Sequence, residues 1–490
     1  MFVTSLRRTG KEIPNLSAHS VSGEESPTCP SLFHPTTAQD GKLVRIRIPG
    51  GILGSEQCQV LAEAIAYLNS NTIDITNRAN LQIRGLSASM PPEVLLKLQD
   101  AGLAAKNPEL DRFRNIMASP TAGIDPEQLI DTRPLVRQLD EYLASNLNLA
   151  GLSPKFSIGI DGGEKVSIEQ QPNDIFFKAV AVEDKVYFNL YIAGINLETA
   201  VIPENCLSLV GAIAQVYLDL VPANITRKPR LKQVIEDFGR SNYIDRLQLY
   251  LSSSCLSARL STERSRSATS LHLGIYPQIQ PDLFYIGISL PLGRLELNQL
   301  RGIAEIIENY GNGTLKLTPW RSILLPDIRD RNLDTVQQKL AELGLSIKNN
   351  NIWGGLVACS GTTGCAASFT DTQGDAIALA RYLADNITLN QPVTIHLSGC
   401  PKSCAHHGSS DLTLVGKSCR ENGGEIAGYH LYGGDAELPF GKQLLANLEP
   451  SQLPPKITQI LSNYQEKGTE QHLSWAEFSD RWFDTEDNEC

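Results

Sequence analysis

Two pairs of closely spaced cysteines are the residues in this sequence most clearly suited to chemistry. They are Cys359-x5-Cys365, in the segment VACSGTTGCAAS, and Cys400-x3-Cys404, in HLSGCPKSCAHHG. Short loops rich in Gly, Ser and Thr surround the four thiols, so backbone N–H groups can turn toward an anion and the thiolates can converge. Converging thiolates are the ligands of iron–sulfur clusters, and we predict a buried 4Fe–4S cluster here.

Three other interpretations of these cysteines have less support. The remaining six of the ten cysteines are scattered singly, and we expect no signal peptide before them, which argues against a disulfide framework. Structural zinc favours shorter C-x2-4-C spacings, so the five-residue gap fits zinc poorly without excluding it. Buried thiols without any ligand are the third alternative, because free cysteine often acts as a small hydrophobic residue.

Length, composition and charge set the broad class of the protein. A chain of 490 residues should hold several domains, and 41% hydrophobic with 20% charged residues is typical of a soluble globular protein. No apolar run approaches the roughly 20 residues of a membrane span, and we expect a cytoplasmic protein that has no membrane partner. The net charge of −11 argues against nucleic acid as a partner. It does not exclude an anionic small ligand, because charges at a distance are screened and a local arginine cluster can still bind an anion.

A long internal repeat indicates how the elements are organised. Residues 44–76 align without a gap on residues 286–318, at a constant offset of 242. Each copy begins as an alternating strand, passes through a Pro/Gly turn, continues as a helix with apolar periodicity and ends in a short strand. We predict an α+β fold, duplicated as a pseudo-twofold chain, with helices on one side of antiparallel sheets.

The cysteine segments have weaker counterparts in the first half of the chain. FRNIMASPTAG (113–123) is similar to WGGLVACSGTTG (353–364), and SIGIDGG (157–163) is similar to TIHLSGC (394–400). Ser119 then occupies the place of Cys359, and Gly163 occupies that of Cys400. Metal ligation is therefore predicted in the second half alone, with a ligand groove where the two halves face each other.

The cysteine pairs, the duplication and the motif Thr76-Asn77-Arg78 together resemble the nitrite/sulfite reductase family over about residues 38–465. The resemblance implies ferredoxin-like half-domains plus two larger α+β units. It also implies that Cys359, Cys365, Cys400 and Cys404 hold the 4Fe–4S cluster, that Cys404 would bridge to the iron of a sirohaem, and that a ferredoxin-like or other external protein donates electrons.

The corresponding domain organisation covers the whole chain. We predict a flexible tail (1–28), a first ferredoxin-like half-domain (29–105), a first reductase-like α+β unit without cluster ligands (106–250), a linker (251–270), a second ferredoxin-like half-domain (271–349), an iron–sulfur cluster α+β unit (350–465) and a C-terminal tail (466–490).

Basic residues are the second group of candidate site residues. In the family such residues bind tetrapyrrole carboxylates and the reacting anion, which implies a tetrapyrrole-binding set of Arg45, Arg47, Arg78, Arg84, Arg114 and Lys155. Lys155, Arg114 and His406 are the candidate catalytic residues. His406 follows Cys404 closely and could act as an iron ligand or proton donor, or could hydrogen-bond the cluster loop, which is the role expected of His407. Arg321 and Trp320 could stack on a macrocycle or on each other.

Two departures from the reductase pattern favour one branch of the family. Sulfite reductases carry a second lysine two residues after the position of Lys155, and nitrite reductases often an amide, whereas this chain has Ser157. In addition, Cys404 is followed by Ala405-His406-His407, whereas the reductases commonly have a run that contains glycine there. The segments GCPKSCAHHG, LTPWRSILLP and CPSLFHPTTAQDGKLVRIRIPGG resemble the precorrin-3B synthase branch.

The branch implies a reaction different from anion reduction. It implies that the substrate is the tetrapyrrole precorrin-3A, an intermediate of cobalamin biosynthesis. The implied reaction is O2-dependent hydroxylation at C20 with closure of a γ-lactone. An additional iron is a candidate second cofactor. The alternatives are a sirohaem-dependent ferredoxin nitrite or sulfite reductase and a non-catalytic module for electron transfer or tetrapyrrole binding.

Overall fold

The computed structural model describes residues 29–250, 271–406, 408, 410–421, 424–434, 440–468, 473 and 475–486. The tail predicted for residues 1–28 and the linker predicted for residues 251–270 lie outside them. The strands are β1 (Thr36–Ala38), β2 (Gly41–Ile46), β3 (Ile52–Gly54), β4 (Thr72–Ile75), β5 (Leu81–Leu86), β6 (Ile116–Ala118), β7 (Ile158–Asp161), β8 (Ile175–Val182), β9 (Lys185–Ile192), β10 (Ile195–Val201), β11 (Gly274–Pro277), β12 (Leu283–Ile288), β13 (Arg294–Glu296), β14 (Thr314–Leu317), β15 (Ile323–Arg329), β16 (Leu356–Ala358), β17 (Ile395–Ser398), β18 (Leu412–Glu421), β19 (Gly424–Gly433) and β20 (Lys442–Leu448). The α-helices are α1 (Ser55–Tyr67), α2 (Pro92–Asp100), α3 (Arg133–Ser145), α4 (Cys206–Leu220), α5 (Leu231–Phe238), α6 (Arg240–Gln248), α7 (Leu297–Tyr310), α8 (Leu333–Glu342), α9 (Ile352–Gly355), α10 (Gly361–Gly364), α11 (Thr372–Asn386), α12 (Leu453–Asn463) and α13 (Trp475–Glu486).

The repeated segments form two five-stranded antiparallel sheets that exchange a strand. Their strand orders are β1-β2-β5-β4-β13 and β11-β12-β15-β14-β3, so each sheet takes its last strand from the other repeat. Leu295 of β13 pairs with Ile73, and Leu53 of β3 pairs with Leu315. One hydrophobic core runs through both sheets and through α1 and α7. The two half-domains are therefore one folding body rather than two separate modules.

A glutamine shared by both repeats explains part of this symmetry. Gln57 accepts a hydrogen bond from the Gly54 N–H at the start of α1 (2.9 Å), and its amide nitrogen donates to the carbonyl of Ala101 (2.9 Å). Gln299 makes the corresponding bonds to the Glu296 N–H (3.0 Å) and the Leu343 carbonyl (3.2 Å). Each glutamine thus caps one helix and fixes the segment that follows the next helix.

The Pro/Gly turn predicted before each helix brings the two repeats close together. Gly51 has a φ of 70°, and a Cβ atom there would lie 2.6 Å from the carbonyl oxygen of Leu317. Only glycine fits both the left-handed conformation and the close approach. The turn can therefore place β3 beside β14 of the other repeat.

Two larger sheets repeat one topology and carry the remaining domains. The order β6-β7-β8-β9-β10 corresponds strand for strand to β16-β17-β18-β19-β20. In both sheets the first three strands are parallel and the rest antiparallel. Each sheet packs its own core, the first with helices α3 to α6 and the second with α9 and α11 to α13. The predicted duplicated α+β fold is confirmed, including the weaker similarity of the cysteine segments.

The C-terminal segment differs from the sequence-based expectation. Residues 475–486 were expected to belong to a tail but form α13, in which Trp475 and Phe478 are buried in the core of the second larger unit. Their rings lie 4.4 and 5.1 Å from that of Tyr464. The helix is short and mostly polar, so its few buried aromatics gave little periodicity to detect. No helix in the described part of the chain is long and apolar enough to cross a membrane.

Candidate functional site

The four clustered cysteines lie at one edge of the second larger sheet. Cys359 directly follows β16 and Cys400 follows β17 after one residue, and these two strands are parallel. The carboxyl ends of parallel strands meet at the same sheet edge, which brings both thiols together. Cys365 ends α10, with its N–H donating to the Gly361 carbonyl (2.9 Å), and Cys404 follows Cys400 in the next turn.

The surroundings of the cysteines fit a thiolate-bound cluster. The Cys359 sulfur accepts a hydrogen bond from the Gly399 N–H (3.2 Å) and lies 3.4 Å from the Thr372 hydroxyl oxygen. Burial and the charges of the three other clustered cysteines raise the pKa of the Cys404 thiol, so all four sulfurs lie within electrostatic reach. A backbone donor at one sulfur, and three thiols within electrostatic reach of the fourth, suit the binding of an anionic iron–sulfur cluster.

The equivalent loops of the first larger unit are filled by their own side chains. The Ser119 hydroxyl donates to the Val166 carbonyl (2.9 Å), and the Gly163 N–H donates to the Asp161 carboxylate (2.9 Å). The Ser167 hydroxyl donates to the same carboxylate (2.7 Å). Hydrogen bonds between protein groups occupy this site in place of thiolates, which supports ligation in the second unit alone.

Arg321 holds the cluster loops from the second half-domain. Its guanidinium donates to the carbonyls of Ala358 (3.1 Å) and Ala405 (3.3 Å), one residue before Cys359 and one after Cys404. The neighbouring Trp320 stacks on His272 at 4.7 Å with an angle of 19° between the rings. Arg321 and Trp320 thus do not stack on each other, and Trp320 already has an aromatic neighbour.

Arg84 holds the cluster loops from the first half-domain. Its guanidinium makes a bidentate ion pair with Asp40 (2.8 and 3.0 Å) and also donates to the Gly364 carbonyl (2.9 Å), beside Cys365. It was predicted to bind a tetrapyrrole carboxylate, but a protein carboxylate occupies its fork. The sequence showed the basic residue, whereas its acidic partner lies on a loop 44 positions earlier.

Arg45 and Arg47 of the β2 segment meet at a thiol. Arg47 Nη2 lies 3.3 Å from the sulfur of Cys29, and Arg45 Nη1 lies 3.9 Å from it. Arg45 also donates to the side-chain oxygen of Gln82 (3.2 Å). Cys29 is not among the site residues predicted from the sequence, where its only signal is its position at the start of the CPSLF segment.

The motif Thr76-Asn77-Arg78 lies between the first larger unit and the cluster. Asn77 Nδ2 lies 3.5 Å from the carbonyl oxygen of Cys404, to which it donates. Arg78 donates to the Pro172 carbonyl (2.5 Å) and to the Asn173 side-chain oxygen (2.7 Å). The motif therefore joins the basic residues of the first half to the cluster loop of the second.

Five arginines, Arg45, Arg47, Arg78, Arg114 and Arg321, form what we call the basic groove, and they keep hydrogen-bonding capacity that the described residues do not use. Burial lowers the pKa of Arg45 to about 10, and the positive charges of Arg47, Arg321 and Arg84 act in the same direction. Burial likewise lowers the pKa of Arg78 to about 10, partly offset by Asp174. Within the described residues, each of the five arginines keeps one buried nitrogen without a hydrogen-bond partner. An anionic ligand with several carboxylates would satisfy such nitrogens.

Arg114, Lys155 and Ser157 differ in what they can offer a ligand. Arg114 is paired with Asp140 through two bonds (2.7 and 2.9 Å), so one nitrogen remains available. Lys155 is exposed, and its charge acts on Cys29. Ser157 is buried, and its hydroxyl donates to the Asp174 carboxylate (3.0 Å) while accepting from the N–H of that residue (3.1 Å).

The histidine beside the cluster loop packs against a second histidine. The rings of His406 and His396 lie 5.6 Å apart at 76°, and the Ser403 hydroxyl donates to the His406 carbonyl. His396 is buried on β17. His407 lies outside the described residues.

Two cavities lie in the described part near the arginine residues. One of about 260 Å³ is lined in part by Arg47, Arg114 and Asp140, and so adjoins the basic groove. A larger one of about 550 Å³ is lined in part by Arg329 and Arg331, and none of its lining residues belongs to the groove. We place the candidate site at the groove, because within the described residues Arg321, which has an unpaired guanidinium nitrogen, contacts the loops that carry the clustered cysteines there.

Comparison with known proteins gives a consistent result. Residues 35–101 and 276–343 match the nitrite/sulfite reductase ferredoxin-like half domain, and residues 109–254 match the nitrite and sulphite reductase 4Fe-4S domain. The last match falls on the larger unit that lacks the clustered cysteines.

Individual relatives cover most of the chain. Ferredoxin–nitrite reductase of Synechococcus elongatus is 31% identical over 86% of this chain and 85% of that protein. A precorrin-3B synthase of Sinorhizobium is 29% identical over 81% of this chain and 82% of that protein. The structure of the Mycobacterium tuberculosis NirA protein superposes with a TM-score of 0.76 over 90% of this chain and 83% of that chain at 23% identity, which supports the fold.

Proposed function

The chain belongs to the nitrite and sulfite reductase family, and we propose that within it the protein is an oxidoreductase of the precorrin-3B synthase type. Its cofactor is a 4Fe–4S cluster. The proposed reaction is O2-dependent hydroxylation of precorrin-3A at C20 with closure of a γ-lactone. The proposed cluster ligands are Cys359, Cys365, Cys400 and Cys404.

The orientation of Ser157 is the observation that carries this proposal. Its hydroxyl is committed to Asp174, so the position where reductases carry a lysine or an amide offers no donor to a small anion. A charge-assisted hydrogen bond contributes roughly 1.5–3 kcal/mol, which is a large share of the binding energy of nitrite or sulfite. A large polycarboxylate loses a smaller share of its binding energy when this one donor is missing, because it contacts several arginines.

The retained arginines suit a tetrapyrrole with acetate and propionate groups. Arg45, Arg47 and Arg78 each have a buried, unpaired nitrogen, and they lie near enough for the charges of Arg47 and Arg45 to act on Arg78. A guanidinium fork binds a carboxylate through two parallel hydrogen bonds, which fixes the ring as well as attracting it. Arg45 and Arg47 would therefore orient one edge of the macrocycle while Arg78 holds it next to the Cys404 loop.

The remaining roles concern electrons and protons. When bound, the cluster supplies single electrons, which an external ferredoxin-like protein would deliver. Lys155, exposed at the groove, would donate a hydrogen bond to the ligand, and Arg114 would present its one unpaired nitrogen. His406, beside the cluster loop, would hold a proton near the reacting edge.

A sirohaem-dependent ferredoxin nitrite reductase is the second candidate function. The 31% identity with the Synechococcus enzyme over most of both chains favours it. Arg78, Arg114 and Lys155 occupy the positions that the resemblance assigns to anion binding in reductases. The unpaired groove arginines argue against a module that has lost its ligand entirely.

Anaerobic purification followed by assay of both reactions tests the proposal. We expect iron and labile sulfide in a cluster ratio without a sirohaem absorption band, and incorporation of one oxygen atom from ¹⁸O2 into precorrin-3A, measured by mass spectrometry. Arg45→Gln should weaken binding of the tetrapyrrole, whereas Arg301→Gln, at an exposed site on α7, serves as the control. A sirohaem spectrum together with nitrite reduction and no oxygen incorporation would establish the second candidate instead.

A further inference from the structure

Cys29 lies inside the basic groove, and the proposed reaction gives it no role. Its sulfur contacts the guanidinium groups of both Arg47 (3.3 Å) and Arg45 (3.9 Å), and the ammonium of Lys155 is near enough to act on it. Three cations of the ligand site thus converge on one thiol. The cluster cysteines belong to a different segment and a different sheet, so this thiol is not part of their ligand set.

The buried guanidinium of Arg47 is an independent sign that an anion belongs at this point. Arg47 is only 2% exposed, and its Nε has no hydrogen-bond partner in the described part of the chain. The carboxyl group of Asp111 also acts on it, but Asp111 accepts the Ala105 N–H (2.9 Å) and burial raises its pKa. A buried cation is costly unless an anion pairs with it.

The electrostatic surroundings favour the thiolate form of Cys29. Burial raises the pKa of the thiol, but Arg47, Arg45, the hydrogen bond from Arg47 and Lys155 together lower it below its ordinary value. Neighbouring arginine and lysine residues lower the pKa of a cysteine and so increase its thiolate fraction at neutral pH. A thiolate at this position can accept the hydrogen bonds from the arginine N–H groups that a ligand carboxylate would otherwise accept.

We propose that Cys29 is an internal counter-anion of the groove: its thiolate occupies the carboxylate receptor formed by Arg45 and Arg47 until a carboxylate of the ligand displaces it. On displacement the sulfur leaves the two guanidinium groups and takes up a proton from water, so no oxidant or reductant takes part. The identity of the displacing ligand rests on the proposed function. The contact of the Cys29 thiolate with Arg45 and Arg47, which we call the ion triad, does not.

This arrangement makes binding a competition. A ligand must replace the thiolate before both arginines are free. Its apparent affinity is therefore the intrinsic affinity multiplied by the fraction of molecules in which the thiolate does not occupy the two arginines. A polycarboxylate can bind first through Arg78 and Lys155 and then displace the sulfur locally. Cys29 would thereby select against small monoanions, which have no second contact.

Alkylation of Cys29 tests the triad without any ligand. The cluster-loaded, full-length protein is treated with iodoacetamide from pH 5 to 9, and modification of the Cys29 peptide is followed by mass spectrometry. The midpoint in the wild type should lie below the ordinary thiol value of about 8.5 and should rise by about one pH unit or more in Arg45→Gln. Arg47→Lys, which keeps the charge, should leave the midpoint low, and Arg301→Gln is the control. Equal midpoints in the wild type and Arg45→Gln would overturn the triad.

Binding of uroporphyrin, an octacarboxylate, tests the displacement. Cys29→Ala should bind about tenfold more tightly than the wild type, and Cys29→Asp, which places a permanent carboxylate at the receptor, should bind more weakly. Unchanged or weaker binding by Cys29→Ala contradicts displacement. If no variant binds the porphyrin, both the displacement and the proposed function fail, while the alkylation midpoint still decides whether the triad exists.

Discussion

Arginine side chains in this protein fall into two groups according to what their guanidinium groups contact. Arg84 and Arg321 hold the cluster loops through carbonyls that flank three of the clustered cysteines, and Arg84 is neutralised by Asp40. Arg45, Arg47 and Arg78 instead contact side chains away from the cluster loops, and each of them, like Arg321, keeps a buried nitrogen unpaired within the described residues. The first group positions the proposed cluster ligands, and the second forms the proposed carboxylate receptor.

Loss of a single cluster thiol should abolish the cluster. In Cys404→Ser a neutral hydroxyl replaces a thiolate ligand, so we expect iron and labile sulfide, measured after anaerobic purification, to fall to a small fraction of the wild-type content. Cys29→Ser is the matched control, because this cysteine lies among arginines and should leave the iron content unchanged. Full iron and sulfide in Cys404→Ser would remove Cys404 from the ligand set.

At the scale of elements, strand exchange and a C-terminal helix complete the frame around the groove. Strands β3 and β13 each close the sheet of the other repeat, and the motif that reaches the Cys404 loop follows directly after β4 in one of these sheets. Helix α13 covers the core of the unit that carries the clustered cysteines. The stability of that unit should therefore depend on a helix far from the cysteines in sequence.

Truncating one aromatic residue of α13 should destabilise the second larger unit. Phe478 is 2% exposed and packs against Tyr464, so Phe478→Ala should lower the free energy of unfolding by about 3–5 kcal/mol. Urea unfolding followed by loss of cluster absorbance measures this change. Asp480→Asn removes only an exposed ion pair with Lys442 and should cost less than about 1 kcal/mol. Equal effects of the two substitutions would mean that α13 does not support the unit.

At the scale of the whole molecule, buried polar contacts join the two halves. Lys316 of β14 is 3% exposed, and its ammonium donates to the Ala122 carbonyl of the first larger unit (2.6 Å). Burial lowers the pKa of Lys316 to about 8 from 10.5, with Arg133 acting in the same direction and Glu164 opposing it. This contact connects the second half-domain to the unit without clustered cysteines, as Arg321 connects it to the unit that has them.

The lowered pKa of Lys316 predicts a specific pH dependence of stability. Between pH 8 and 10.5 the unfolded chain holds a proton at Lys316 that the folded protein has lost. The contribution of Lys316 to the free energy of unfolding should therefore rise with pH in this window, by up to about 1.4 kcal/mol per pH unit. Urea unfolding of the wild type and Lys316→Met at several pH values measures the difference, and the exposed Lys106→Met provides the control. A difference that stays constant with pH would contradict the prediction.

Much of the architecture could be predicted from local patterns in the chain. The offset of 242 residues predicted the duplicated α+β fold, and the two cysteine pairs predicted where the cluster loops lie, because periodicity and ligand spacing are properties of neighbouring residues. The pairing of Arg84 with Asp40, the commitment of Ser157 to Asp174 and the approach of Cys29 to Arg47 could not be predicted in this way. Each depends on side chains that are 17 or more positions apart and meet only after the sheets have formed, when burial and charge settle which guanidinium groups remain free for a ligand.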